Sequence, residues 1–348
     1  MTSVKDFWYI VGLSSDLDAG RVLGVTLLGE WLAVYRNAKG EATTVIDRCL
    51  HRNARLSKGK VKDGELVCPY HGWRYSQGGR LSAIPSEGPN FRPQPPRCLT
   101  TFATVEKSGY IYVHLNKAPD LADQANQTPE PYTIPFLGAP GYQHVRLKHV
   151  FRADVPGCAE NFIDIPHTTY VHPNIFRYER EPQKILAEAS LKQGAVHVRY
   201  LNETANFGWF SRFLNRQGKV IFHEDHYYLP NITHVEYRFG EKRHFNIVSQ
   251  SVPVGDDETH VYTDLIYDYG LWNAVAKPFV RWVGKAIIAQ DVRIMGQQTD
   301  VINKYGISFS STRADIQHLW IERIYADLRA GKDPHAIPEQ TKNVEFWI

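Results

Sequence analysis

Two short pairs of cysteine and histidine constrain the fold of this chain more than any other feature of its sequence. Cys49 and His51 form a C-x-H pair, and Cys68 and His71 form a C-x-x-H pair after a gap of sixteen residues. Four cysteines in 348 residues argue against a disulfide framework, so metal binding is the better use of a spaced pair. The pattern predicts two thiolates and two imidazoles on the tips of two β-hairpins, where they can surround one metal centre.

This ligand set suits two kinds of centre. A Rieske [2Fe–2S] cluster holds one iron by two cysteines and the other by two histidines, whereas a structural zinc site also accepts two of each. Zinc sites usually pair cysteine with cysteine and histidine with histidine, but each pair here contains one of each. The mixed pairs favour the cluster. Cys98 and Cys158 have no partner at ligand spacing, so they are predicted to be small apolar core residues.

A second group of potential metal ligands follows in the middle of the chain. His167 and His172 lie five residues apart, an offset of about 140° on a straight helix. Pro166 indicates that the helix ends here, so the two imidazoles could converge on one ion. Asp164 lies three residues before His167 and could neighbour it if the helical turn persists. The alternative is that both histidines only satisfy hydrogen bonds in the core.

A buried carboxylate in a late helix completes this second group. A helix is predicted from about Pro278 to Lys304, and Asp291 falls on its apolar face. An ionised carboxylate in such a place needs a cation, because burying it alone costs several kcal/mol. Two histidines and one carboxylate form the facial triad of non-haem Fe(II) oxygenases, which predicts a mononuclear Fe(II) site. The alternative is an ion pair of Asp291 with Arg293 or Lys285.

The sequences of residues 49–52 and 68–73 closely resemble the cluster loops of the Rieske non-haem iron oxygenases, and the resemblance covers nearly the whole chain. Within that family, the chain is similar to a branch that includes vanillate and dicamba O-demethylases and toluenesulfonate methyl-monooxygenase. The resemblance implies an α+β protein in which an N-terminal all-β Rieske domain precedes a helix-grip-like catalytic domain with a large antiparallel sheet. It also implies a homotrimer in which one subunit's cluster lies beside the next subunit's iron.

The resemblance assigns roles to two further residues and leaves one contact in doubt. Asp164 corresponds to the aspartate that bridges the two centres through a histidine of each, with His71 and His167 as its partners. Asn161 corresponds to a residue near the iron that could order water or substrate, although it could equally be a helix cap. Gly296 stands where many relatives have glutamate, which puts a contact behind the ligand Asp291 in doubt. Trp73 is expected either to shield the cluster or to be an ordinary core residue.

Local residue composition and turn signals divide the chain into two domains. Short runs rich in Val, Ile, Tyr and Trp, separated by turn signals such as Ser108-Gly109, indicate an all-β first domain at residues 1–118. A stretch with five prolines, between Asn116 and Gly141, indicates a linker at 119–140. Residues 141–348 then form the catalytic domain, with a helix near residues 159–166, strands at 243–254 and 259–269, and the late helix.

Composition limits the partners. The net charge of +3 gives no general attraction to nucleic acid or to an anionic membrane, and neither a signal peptide nor a long apolar run is present. A cytoplasmic chain is therefore expected. The family resemblance implies that its partners are O₂, a small organic substrate, and a ferredoxin or NAD(P)H-dependent reductase as electron donor. A basic stripe of Lys277, Arg281 and Lys285 could dock that donor, or it could be a solvated helix face.

The resulting prediction is an oxygenase that hydroxylates or oxidatively demethylates a small aromatic or cyclic substrate. The alternatives are a cis-dihydroxylating dioxygenase, a Rieske electron carrier without a second iron, and a zinc-stabilised binding protein. His223 and His226 could orient a polar group of the substrate, or they could satisfy ordinary strand contacts. Seven aromatic residues could line an apolar pocket or belong to the core: Phe207, Trp209, Phe210, Phe213, Phe222, Tyr227 and Tyr228.

Overall fold

The computed structural model describes residues 2–91, 97–116, 130–173, 182–204, 220–240 and 243–348. These residues form two compact units, one of Lys5–Thr133 and one of Ile134–Ile348 with the N-terminal residues to Val4. Part of the predicted linker, residues 119–129, lies outside the described residues. Its assignment as a linker, and the domain limits that depend on it, therefore stay predictions.

The first unit is all β, as predicted. It contains a six-stranded antiparallel sheet in the order β1-β10-β9-β4-β3-β2 and a four-stranded antiparallel sheet in the order β5-β6-β7-β8. The strands are β1 (Trp8–Leu13), β2 (Val22–Leu27), β3 (Glu30–Arg36), β4 (Ala42–Ile46), β5 (Lys60–Lys62), β6 (Glu65–Val67), β7 (Arg74–Tyr75), β8 (Leu81–Ala83), β9 (Thr101–Lys107) and β10 (Tyr110–His114).

Local turn chemistry sets the register of this unit. The predicted turn at Ser108-Gly109 joins β9 to β10, and both residues have positive φ, which a two-residue hairpin requires. Asp63 and Gly64 join β5 to β6 in the same way. A Cβ atom at Gly64 would lie 2.3 Å from the backbone of Ala38, so only glycine fits there. The loop that carries Cys68 and His71 directly follows the β5–β6 hairpin.

The second unit is α+β, as predicted. Eight strands among its described residues form one antiparallel sheet in the order β11-β17-β16-β15-β14-β13-β12-β18. The strands are β11 (Gln143–Phe151), β12 (Lys184–Lys192), β13 (Ala195–Tyr200), β14 (Phe222–Tyr228), β15 (Ile232–Phe239), β16 (Arg243–Pro253), β17 (Thr259–Asp268) and β18 (Gln340–Trp347). The α-helices in the described part of this unit are α1 (Val155–Ile163), α2 (His167–Val171), α3 (Asn273–Tyr305) and α4 (Ile316–Arg329).

The predicted helix limits were partly wrong. The helix expected near residues 159–166 is α1, which begins at Val155 because the Asp154 side chain accepts a hydrogen bond from the Gly157 amide at its start. It ends at Ile163, before Pro166. The late helix α3 begins at Asn273, five residues before the proline expected to start it. Among the described residues, no helix combines the length and apolarity needed to cross a membrane.

Candidate metal centres

The first candidate centre lies in two loops of the all-β unit. Cys68 and His71 lie in the hairpin between β6 and β7, as predicted. The prediction of a hairpin was wrong for Cys49 and His51, whose loop instead connects β4 of the six-stranded sheet to β5 of the four-stranded sheet. The error arose because the turn pattern in the sequence does not indicate that successive strands belong to different sheets.

The two loops have the same backbone hydrogen-bond pattern. The amide of each cysteine donates to the carbonyl five residues later, Cys49 to Ala54 at 2.9 Å and Cys68 to Trp73 at 2.9 Å. The cysteine carbonyl accepts from the amide four residues later, that of Asn53 in one loop and Gly72 in the other, each at 3.1 Å. Both of these residues have positive φ, 59° and 68°. Each loop thus wraps its own backbone around one cysteine.

The four predicted ligands come together between these loops. The imidazole rings of His51 and His71 have centroids 4.5 Å apart. Cys49 and Cys68 are buried and in contact. Burial chiefly raises the pKa of the Cys68 thiol, and its hydrogen bond with Cys49 adds to the rise.

Neighbouring aromatic and charged groups support the loops. Trp73 is buried and stacks on His51 with ring centroids 4.6 Å apart and an interplanar angle of 3°. The Tyr75 hydroxyl lies 3.1 Å from Cys49 Sγ and accepts a hydrogen bond from the Leu50 amide at 3.1 Å. The buried Asp47 carboxylate accepts hydrogen bonds from the amide and hydroxyl of Ser57, at 2.7 and 2.6 Å, which closes the first loop at its far end.

The chemistry of this donor set fits a cluster held by both loops. The buried Nδ1 atom of His51 has no hydrogen-bond partner among the described residues, although buried imidazole nitrogens are normally paired. A ring nitrogen whose lone pair is uncommitted is suited to binding iron. Cys49, His51, Cys68 and His71 are therefore the residues that would hold a [2Fe–2S] cluster.

The second candidate centre lies between α2 and α3. His172 Nε2 lies 3.0 Å and His167 Nε2 lies 3.7 Å from Asp291 Oδ1. Potential ligand atoms of the three residues all lie within 4.8 Å of one another. His172 and Asp291 are buried, and the His167 side chain is 18% exposed. Arg293 and Lys285, the alternative partners of Asp291, are exposed, and the ion pairs of Asp291 among the described residues are with the two histidines.

Hydrogen bonds behind the two histidines fix which nitrogen faces Asp291. His172 Nδ1 lies 2.8 Å from Gln290 Oε1, and His167 Nδ1 lies 3.2 Å from Asp164 Oδ2. Each acceptor oxygen requires a proton on Nδ1, so in the neutral rings both Nε2 atoms present lone pairs toward the same carboxylate oxygen. The sequence alone did not indicate this contact of Gln290.

This arrangement is unfavourable without a cation. Asp291 Oδ1 is buried and accepts no hydrogen bond of acceptable geometry from any described residue, and a buried carboxylate oxygen left in that state is costly. A divalent cation bound among the three side chains would pair with the buried Asp291 oxygen and would also accept the two Nε2 lone pairs that face this oxygen. The donor set is that of a facial triad with open positions, and it fits mononuclear iron.

A cavity of about 390 Å³ adjoins the second centre. Asn161, Asp164 and His167 line one side of it, and residues of α3 line the other. The buried Asn161 Nδ2 atom has no hydrogen-bond partner among the described residues, so this amide is available to a water molecule or ligand. Gly296 has no side chain that could contact Asp291, and a Cβ atom at this position would meet open space.

Other predicted residues turn out to be structural or lie outside the described part. His223 is buried between Glu203 and Asp225, at 2.5 and 2.9 Å, and these carboxylates outweigh burial and raise the pKa of His223 to about 9. Cys158 is a core residue as predicted, but the prediction for Cys98 was wrong because its side chain is exposed at an isolated β-bridge.

The remaining predictions concern aromatic and basic side chains. Phe207, Trp209, Phe210 and Phe213 lie outside the described residues. Tyr227 is buried and donates to the Pro230 carbonyl at 2.6 Å, which is a core role. Lys277, Arg281 and Lys285 are all exposed along α3.

Comparison with known proteins identifies relatives of both units. A model of the Rieske [2Fe-2S] domain matches residues 7–103, and a model of the vanillate O-demethylase oxygenase C-terminal domain matches residues 151–328. A 4beta-methylsterol monooxygenase of Methylococcus capsulatus is 34% identical over 198 residues, which are 56% of this chain and 51% of the relative. The dicamba O-demethylase oxygenase component of Stenotrophomonas maltophilia is 33% identical over 181 residues, 49% of this chain and 48% of the relative.

Solved structures extend the similarity over the whole fold. Dicamba monooxygenase bound to 3,6-dichlorosalicylic acid superposes with a TM-score of 0.79 at 20% identity, covering 95% of this chain and 98% of that one. At this level of identity the match concerns the fold alone. The chain spans about half the length of the curated relatives it matches.

Proposed function

The chain belongs to the family of Rieske oxygenases with a vanillate O-demethylase-type C-terminal domain, and from this premise we propose that it hydroxylates or oxidatively demethylates a small organic substrate. Members of this family combine a Rieske [2Fe–2S] domain with a catalytic domain that binds mononuclear iron. The observation that carries the proposal is the convergence of His167, His172 and Asp291 in a chain that also brings two Cys–His pairs together.

The residues have separate tasks in this proposal. Cys49, His51, Cys68 and His71 hold the cluster, a one-electron carrier that external donors can refill. His167, His172 and Asp291 hold the ferrous ion, which supplies O₂ activation when bound. Gln290 and Asp164 keep the two Nε2 atoms directed at the metal position, because each accepts the Nδ1 proton of one histidine. The Asn161 amide, on the wall of the adjoining cavity, orders water or substrate.

Asp164 has a further role in the proposal. Its carboxylate contacts the His167 ring and backbone and is 24% exposed, so it can also accept a hydrogen bond from outside the unit. We expect it to connect the iron of one subunit to His71 of a neighbouring subunit. Asp164→Asn should retain both metals but lose reduction-driven turnover, which rapid-mixing spectroscopy of cluster reoxidation would measure. Unchanged reoxidation in the presence of substrate and O₂ would exclude the bridging role.

The assembly and the electron donor belong to the same proposal. A homotrimer is supported by exposed apolar side chains after the metal-binding part of α3, among them Val301, Tyr305 and Ile307. Light scattering of the purified protein tests it directly. The donor is a ferredoxin or an NAD(P)H-dependent reductase, and the exposed basic stripe of α3 is a candidate docking surface. We expect the protein to act in the cytoplasm.

Metal analysis and turnover test the function in two steps. The oxygenase should contain three irons per chain and a red-brown chromophore that bleaches on reduction, whereas a Rieske electron carrier would contain two irons. NADH-dependent O₂ uptake with a generic reductase should then respond to some members of a panel of methoxy-, methyl- and ring-substituted aromatic and alicyclic compounds. Two irons with no uptake response would refute the proposal. Product analysis separates hydroxylation and demethylation from cis-dihydroxylation, which shares every metal ligand.

A further inference from the structure

The eight-stranded sheet of the second unit carries another set of two histidines and one carboxylate, formed by His197, His226 and Glu224. His197 of β13 and His226 of β14 are direct neighbours in the antiparallel register. Glu224 lies two residues before His226 on the same strand and therefore on the same face. An E-x-H pair on one strand with a histidine opposite on the next gives three converging side chains within the spacing of adjacent strands.

This group lies on the sheet face opposite to the one that packs against α3. A Cβ atom at Gly284 of α3 would lie 2.6 Å from a methyl carbon of Leu265, which identifies the helix side of β17. Paired residues of neighbouring strands lie on the same face of a sheet. The pairing of β17 with β16, β16 with β15 and β15 with β14 therefore places Asp225 of β14 on the helix side as well. Successive strand residues point to opposite faces, so His226 points away from α3 and from the candidate iron site.

The ligand atoms of the group are close enough to share an ion. The Glu224 Oε2 atom lies 3.3 Å from His197 Nε2 and 3.7 Å from His226 Nε2. The other oxygen of Glu224 lies 3.6 Å from the Arg199 guanidinium, which leaves Oε2 to the two imidazoles. The side chains of Glu224 and His226 are 16% and 17% exposed, and that of His197 is 38% exposed, so the group is partly desolvated but open to solvent.

One atom of the group lacks the partner that its burial requires. His197 Nε2 is buried and makes no hydrogen bond of acceptable geometry with any described residue, even though a carboxylate oxygen is 3.3 Å away. An imidazole nitrogen without a hydrogen-bond partner is available as a metal ligand.

We propose that His197, His226 and Glu224 bind a divalent transition metal ion on the sheet face opposite α3. Two histidines and a glutamate are an established ligand set for zinc, with the remaining position open to water. The two rings are now nearly parallel, with centroids 4.5 Å apart and an interplanar angle of 11°. Binding therefore requires one ring to turn about its Cβ–Cγ bond, a torsion with broad minima. The proposal does not depend on the oxygenase function.

Zinc stoichiometry tests the site in the iron-loaded protein without an affinity tag. After equilibrium dialysis against micromolar Zn²⁺, elemental analysis should show one zinc per chain with the iron content unchanged. His197→Ala and Glu224→Gln should each reduce the bound zinc at least tenfold. His260→Ala is a matched control, because His260 of β17 lies 3.2 Å from Glu258 but forms no group with a second histidine among the described residues, and this variant should bind as the native protein does.

Two results would overturn the site. Equal zinc in the native protein and in both variants would show that the ion binds elsewhere. Zinc uptake matched by an equal loss of iron would show displacement from the iron centre. Two variants on different strands guard against misfolding of either one, and retention of the visible chromophore and the far-ultraviolet circular dichroism spectrum identifies folded protein. Loss of zinc from both folded variants, with the control unaffected, supports the site.

Discussion

The two candidate iron centres of this chain are held in different ways. The cluster ligands all fall between Cys49 and His71, on two loops whose backbones repeat one hydrogen-bond pattern. The ligands of the mononuclear centre are His167 of α2, His172 directly after that helix, and Asp291 of α3, and packing of these segments brings them together. A site held by local backbone geometry depends on turn chemistry, whereas one held by packing depends on the fold of a whole unit. Each prediction below tests this difference.

The largest expected effect is on the cluster. His51→Ala should abolish the visible absorption of the [2Fe–2S] centre, because it removes one of two imidazoles on the same iron. The mononuclear iron should remain, since its ligands belong to the other unit. Absorption and elemental iron before and after reduction measure both. Leu50→Ala is the control, because Leu50 is an exposed side chain of the same loop, and loss of colour in this variant would mean that the loop tolerates no change at all.

The Asp291→Ala variant should show the opposite result, which is loss of the mononuclear iron with retention of the cluster. Removing the only carboxylate of the triad should lower the mononuclear iron content to near zero and turnover at least 100-fold, with the cluster spectrum intact. Iron stoichiometry and O₂ uptake measure the result. Asp300→Ala provides the control, because Asp300 lies on the same helix and its ion pair with Arg152, at 2.7 Å, is exposed and screened by solvent, so its loss should have little effect. Normal iron content and activity in Asp291→Ala would contradict the ligand assignment.

Gln290→Ala tests how much the hydrogen bond between Gln290 and the candidate ligand His172 contributes to iron binding. The change removes the acceptor 2.8 Å from His172 Nδ1, so the ring loses its preferred tautomer and orientation. We expect iron affinity to fall about 10- to 100-fold, measured by competition with a chelator. Gln290→Glu keeps an acceptor oxygen and should restore most of the affinity. Equal loss in both variants would mean that Gln290 acts through packing and not through this hydrogen bond.

The same contrast explains what could be read from the sequence. The meeting of the two Cys–His pairs was predictable because their spacing is short, and the Ser108-Gly109 turn was predictable because its residues favour positive φ. The proximity of Asp291 to His167 and His172 was predictable because a carboxylate on an apolar helix face needs a cation. Each of these inferences uses neighbours in the chain.

Features that depend on strand register or sheet membership were not predictable. His197 and His226 are neighbours only through the pairing of β13 with β14, which no local pattern specifies. Likewise, the Cys49 loop was expected in a hairpin because sequence does not show that β4 and β5 belong to different sheets. The contact of Gln290 with His172 also required the packing of α2 on α3. Cys98 was misjudged because a small apolar residue next to an isolated bridge need not be buried.

The smallest expected effect tests whether the two cluster loops are truly equivalent. Asn53 and Gly72 occupy the same position in the repeated pattern and have φ of 59° and 68°. Asparagine tolerates this conformation better than alanine, and glycine tolerates it best.

Gly72→Ala should therefore destabilise its loop by about 1 kcal/mol, with a further contribution because the new Cβ would lie 3.2 Å from Pro85 Cγ. Asn53→Gly should be neutral or slightly stabilising in conformational terms, and Asn53→Ala should cost up to about 1 kcal/mol. Thermal bleaching of the cluster chromophore measures all three variants. If Gly72→Ala were harmless while Asn53→Ala destroyed the cluster, the shared backbone geometry would not be what holds both cysteines in place.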